Sequence, residues 1–145
     1  MDGIIKLAGS DYFTFDGLDL TESAGNTTAT TQMEWGYALL KARNTYPIDG
    51  CQFITIRNCS ITLNGTNTGT VGIYSGNHTA ATTTPAANGT LYTTTDYSNN
   101  CRFYGNTITN AFKGFSLNGY NDNVSNPSTS YDLNNEIGIE GSGNT

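Results

Sequence analysis

Between residues 54 and 63 the chain reads Ile-Thr-Ile-Arg-Asn-Cys-Ser-Ile-Thr-Leu, and its apolar positions change phase in mid-course. Ile54 and Ile56 alternate with Thr55 as in a half-buried strand, and Cys59, Ile61 and Leu63 alternate with Ser60 and Thr62. The alternation slips by one residue at Arg57-Asn58, and such a slip sends every later side chain of a straight strand to the opposite face. The same slip recurs along the chain. Phe13 and Phe15 are followed by Leu18 and Leu20 across Asp16-Gly17, and Cys101 and Phe103 by Asn106 and Ile108 across Tyr104-Gly105. A fourth copy opens with Ile137 and Ile139, with Gly141 or Gly143 at its break.

The second residue of each complete break is Gly17, Asn58 or Gly105. Glycine and asparagine enter the left-handed region at low steric cost, so each break is expected to be a single left-handed residue that bends the chain sharply. If the bend turns the second strand onto a new wall, a slip of one residue keeps the apolar side chains aimed at one interior. A third short strand precedes each bent pair, at 4–7, 37–42, 71–74 and 114–117. Registering the copies on Phe15, Ile56, Phe103 and Ile139 gives spacings of 41, 47 and 36 residues. Three short strands per copy, with insertions at fixed corners, predict an all-β solenoid of about three to four turns. The alternative is a set of hairpins leading to a sandwich, because Asp-Gly between alternating strands is also a hairpin signal.

Composition narrows the class of partner. The 145 residues match one ordinary domain, and a net charge of −6 is the wrong sign for phosphate backbones, so nucleic acid is not an expected partner. No apolar run approaches the roughly 20 residues of a membrane-spanning helix, and the first residues lack a signal peptide's pattern. Three cysteines with no CxxC pair give no zinc motif. They are expected to be buried thiols, with a Cys51–Cys101 bridge as the alternative.

Three stretches, DGCQFITIRNCSITLNG (49–65), NNCRFYGNTITNAFKGFSLNGYND (99–122) and NNEIGIEGSGNT (134–145), resemble right-handed parallel β-helix repeats of the pectin-lyase-like superfamily. They are similar in particular to large secreted or surface proteins of Bacteroidetes-type bacteria. The resemblance implies a right-handed, single-stranded parallel β-helix with three sheets and an extracellular or cell-surface location. It also implies Asn or Gly at the tight corner, which Gly17, Asn58 and Gly105 match, with any asparagine ladder there incomplete. Residues 1–145 then form one segment of a longer solenoid. The family's enzymes carry acidic residues on the outer face of the first sheet, or a basic residue beside it.

Chemistry is sparse where that resemblance would place it. Insertions at 21–36, 75–100 and 118–136 flank the first strand of each copy, so a groove is expected along its outer face. The outward positions there read Lys6, Leu40 or Lys41, Gly72 or Tyr74, and Ser116, with no carboxylate. Glycoside hydrolysis needs two carboxyl groups about 5–10 Å apart. Asp11, Asp16 and Asp19 cluster near the tight corner as turn formers, and the single histidine, His78, reads as a solvated loop residue. No catalytic residue, metal ligand or cofactor site is assigned. Trp35, Tyr37, Tyr74, Tyr97 and Tyr120, with Tyr46, Tyr92 and Tyr131 nearby, fall in or beside the groove-side loops, where rings with a polar handle stack on sugars. The competing reading is that these rings pack loops onto the body of the fold. The expected role is a non-catalytic structural, adhesive or glycan-binding segment with a polysaccharide partner. A fragment of a polysaccharide lyase or glycoside hydrolase, and a fibre subunit that associates end to end, are the alternatives.

Overall fold

Apolar residues at every second position, cut by glycine or asparagine at the breaks, give strands of three residues on each side of each bend. The computed structural model describes residues 2–45, 47–82, 96–119, 132–138 and 143–145. Tyr46, Tyr92, Tyr120, Tyr131, Ile139 and Gly141 lie outside the described residues. Within them the chain is all-β, and no helix is present.

The first copy supplies β1 (Gly3–Ala8), β2 (Thr14–Asp16) and β3 (Asp19–Thr21). The second supplies β4 (Trp35–Leu40), β5 (Thr55–Arg57) and β6 (Ser60–Thr62). The third supplies β7 (Val71–Ser75), β8 (Arg102–Tyr104) and β9 (Thr107–Thr109), and the fourth β10 (Lys113–Leu117) and β11 (Glu136–Ile137). Strands of equal rank pair across copies, giving sheets ordered β1-β4-β7-β10, β2-β5-β8-β11 and β3-β6-β9. Every strand pair among the described residues is parallel, which removes the hairpin alternative.

The register follows the phase slip. Phe15 pairs with Ile56 and Ile56 with Phe103, while Leu20, Ile61 and Ile108 line up beyond the bend. Gly17, Asn58 and Gly105 have φ of 71°, 53° and 64°, the left-handed conformation that the breaks require. The fourth copy departs from the sequence expectation. Ile137, not Ile139, pairs with Phe103, so this copy lies 34 residues on rather than 36. The first strand of the second copy also starts earlier than expected, at Trp35.

Residues from all three sheets share one core: Tyr37, Leu39 and Ile73 from the first, Ile56 and Phe103 from the second, Leu20 and Ile61 from the third. The first and third sheets approach closely at a column of glycines. A Cβ on Gly72 would sit 2.6 Å from Ile108 Cγ2 and 2.8 Å from the Gly114 carbonyl, so no side chain fits. Cys51, Cys59 and Cys101 are buried and unbridged, and burial pushes the Cys101 thiol up to about 12.

An asparagine ladder exists, one residue beyond the tight corner. Asn106 is fully buried; its Oδ1 accepts Cys59 N (3.0 Å), and its Nδ2 donates to Ile56 O (2.9 Å) and Asn144 Oδ1 (3.0 Å). Asn144 Nδ2 donates in turn to Phe103 O at 2.9 Å. Leu18 and Cys59 hold this position in the first two copies, where the backbone bonds Ser60 N to Leu18 O and Thr107 N to Cys59 O carry the register.

Candidate functional site

The pairing of the first sheet puts Lys6, Ala38, Tyr74 and Ser116 in one row across the four copies. This row contains no carboxylate. Above it Trp35 stacks on Tyr74, with ring centroids 4.7 Å apart and planes 9° from parallel, in a cluster with Ala38, Leu40 and Val71. His78 closes the group, its ring 5.9 Å from Trp35 and 5.6 Å from Tyr74. His78 Nδ1 lies 2.9 Å from the Thr79 carbonyl, which can only accept, so Nδ1 carries the proton and Nε2 accepts the Tyr74 hydroxyl at 2.8 Å. Burial holds the Tyr74 phenol above its usual range, which keeps that hydroxyl a donor. His78 is therefore a buried, hydrogen-bonded residue and not a solvated one.

The other aromatic candidates are dispersed. Tyr37 turns into the core with no exposed surface; its ring lies 5.3 Å from Phe15 and its hydroxyl meets Cys59 Sγ at 3.6 Å. A ring so placed has no face to offer a ligand, which corrects its reading as a groove residue. Tyr97 is also buried, beyond the end of the first sheet, and its carbonyl approaches Gly50 so closely that a Cβ there would be 2.3 Å away. Tyr120 lies outside the described residues. The structure thus brings Trp35 and Tyr74 together and leaves Tyr37 and Tyr97 elsewhere.

A polar site lies where the strands of the first sheet end and the insertions begin. Lys41 follows Leu40 at the end of β4 and is completely buried, not outward-facing. Its Nζ donates to Ser98 Oγ at 3.2 Å. Burial pushes its ammonium below the usual lysine range, and the Asp132 and Asp96 carboxylates oppose that shift. Asp132 is pushed up by its own burial, with the Lys41 charge and the Ser98 N–H acting the other way; its Oδ1 accepts that N–H at 3.1 Å.

Beside this group opens a cavity of about 310 Å³. Leu39, Phe103 and Leu117 give it an apolar floor, and Ser75, Ser98, Asp132 and Asn135 give it a polar wall. Asn135 is fixed in place, Oδ1 accepting Cys101 N and Nδ2 donating to Ser98 O, both at 2.8 Å. An apolar floor under a few oriented polar groups is the usual form of a small-ligand pocket.

Sequence reasoning passed over Asp132, Ser98 and Asn135. Lys41 did carry a signal, as a charge directly after the apolar run Tyr37–Leu40. The two Asn-Asn dipeptides were a weaker one, because they stack out of step: Asn134 Nδ2 bonds Asn100 Oδ1 at 3.2 Å, while Asn135 serves Cys101. Comparison with protein-family models, curated proteins and solved structures returns no match to this chain, so the functional reading rests on this geometry.

Proposed function

We propose that the chain is a segment of a right-handed parallel β-helix, of the kind found in the pectin-lyase-like superfamily, and that it serves as a non-catalytic carbohydrate-binding module of an extracellular or cell-surface protein. The β-helix reading is supported by strands of equal rank pairing in parallel across copies, and by a left-handed residue at the same corner of three of them. Right-handedness is the rule for crossovers between parallel strands of one sheet.

The observation that carries the ligand reading is the cavity beside Lys41. Its apolar floor and polar wall match a pyranose ring, which presents C–H groups on its faces and hydroxyls around its rim. Among the described residues the cavity lining offers a single carboxylate, Asp132, where glycoside hydrolysis calls for a pair, and this supports binding over hydrolysis.

Affinity electrophoresis through gels containing a panel of neutral and acidic polysaccharides, with a parallel assay for released reducing and unsaturated ends, tests this reading. Retardation by at least one polymer without depolymerisation is expected. Free migration through every gel, or release of chain ends, would overturn it.

A further inference from the structure

The cavity's charge pattern allows its ligand class to be narrowed, an inference that rests on the carbohydrate reading above. Among the described residues its lining holds one carboxylate, Asp132; the other ionisable group there, the Cys101 thiol, is pushed up to about 12 by burial and stays neutral. The neighbouring cation, Lys41, is fully buried behind that wall, where it donates to Ser98 Oγ at 3.2 Å, and the buried carboxylate of Asp96 acts on it from within the same group. A ligand in the cavity therefore meets the carboxylate and not the ammonium.

Asp132 also keeps acceptor capacity. A carboxylate offers about four lone-pair sites, and the Ser98 N–H occupies one on Oδ1 at 3.1 Å. Asn135 is held by one backbone bond at its oxygen and one at its nitrogen, which leaves one lone pair and one amide hydrogen, neither of them charged, for a ligand. Ser75, buried at the end of β7 and aligned with Leu39 and Leu117, adds a hydroxyl between apolar neighbours. Hydroxyl or ammonium donors from a ligand find an acceptor here. A ligand carboxylate would be brought against Asp132 in a partly desolvated space, where like charges repel strongly.

We propose that the cavity accepts a single sugar residue bearing hydroxyl or amino groups and no carboxylate, and that Asp132 sets this selectivity. Uronic acids are the class it rejects.

Saturation-transfer NMR titrations of the full chain with galactose, glucosamine and galacturonate test the proposal. Galactose and glucosamine are expected to bind, with galacturonate at least about tenfold weaker. Asp132→Asn should weaken galactose about tenfold and narrow the gap to galacturonate. Unchanged amide chemical shifts away from the cavity show that the variant has folded. Should Asp132→Asn fail to fold, Ser75→Ala, which leaves the charge in place, should weaken galactose and keep the rejection of galacturonate.

Galacturonate binding as tightly as galactose, or Asp132→Asn without effect on either, overturns the proposal, as does the failure of every probe to bind. Polysaccharide retardation that survives any of these results leaves the carbohydrate reading standing and places its site elsewhere. Loss of both removes the two together.

Discussion

Asn106 offers the sharpest test of how the copies are tied together. Truncating it to alanine removes the acceptor for Cys59 N and the donor to Ile56 O, at 3.0 and 2.9 Å, both in the buried interior. A buried backbone group left without a partner costs about 1–3 kcal/mol, so two of them set an expected loss of about 3 kcal/mol, toward the lower end of their sum because the smaller side chain leaves room to relax. Asn144 makes a contrasting control. Its side chain is only part-buried, so water can replace both of its backbone bonds, Nδ2 to Phe103 O and Asn106 N to Oδ1 at 3.1 Å, and Asn144→Ala should cost about 1 kcal/mol. The double variant should cost less than the sum, because the Asn106–Asn144 bond at 3.0 Å is then counted once. Urea unfolding followed by far-ultraviolet circular dichroism measures all three, and for a chain of this size about 3 kcal/mol corresponds to a fall of roughly 10 °C in melting temperature. Asn106→Ala within about 0.5 kcal/mol of the parent, or Asn144→Ala equally costly, would refute the ladder as a source of stability.

Three further outcomes follow from the packing and the charges. Gly72→Ala should destabilise by about 2 kcal/mol or more, because its Cβ would be forced to 2.6 Å from Ile108, whereas Gly17→Ala, with open space around it, should cost about 1 kcal/mol from its left-handed backbone alone; thermal melts compare them. Lys41→Met should cost about 1–3 kcal/mol, read from urea midpoints, because it removes the buried donor to Ser98 Oγ and the charge that offsets the burial of Asp132. Asn58 and Arg57 hold the Asp16 carboxyl below its usual range, so its contribution is present above the ordinary carboxylate range and is lost as pH falls through the depressed value; Asp16→Asn should flatten that acid-side loss in midpoints taken from neutral to acidic pH.

Most of the architecture was written in the spacing of apolar residues. The slip at Asp16-Gly17, Arg57-Asn58 and Tyr104-Gly105 marked one left-handed corner, and the pairing of Phe15, Ile56 and Phe103 follows from it. A second left-handed column was not legible. Tyr12, Phe53, Asn100 and Asn134 have φ of 59°, 55°, 57° and 57°, but tyrosine and phenylalanine pay a steric cost in that region and give no signal for it. Stacking helps to offset the cost, since the Tyr12 and Phe53 rings lie 4.7 Å apart and 6° from parallel.

The site was less legible than the fold for a related reason. Strand alternation tells inside from outside on a strand, but Ser98, Asp132 and Asn135 stand in insertions without periodicity, and only chain closure brings them beside Lys41. Tyr37 was misplaced because alternation with period two puts it on the same face as Trp35, whereas the strand departs from that period: Trp35 joins Ala38 and Leu40 in the outer cluster while Tyr37 and Leu39 face the core.

The central claim is that residues one copy apart lie directly above one another in parallel register. Thr62 and Thr109 are such a pair, with hydroxyls 2.9 Å apart on the surface. Oxidation of the Thr62→Cys/Thr109→Cys variant, followed by peptide mapping, should give a disulfide joining the two positions, because neighbouring strands about 4.8 Å apart meet the geometry of that bond. Thr62→Cys/Ile108→Cys, with one side chain turned into the core, should stay reduced. A bridge in the second variant and none in the first would contradict the account.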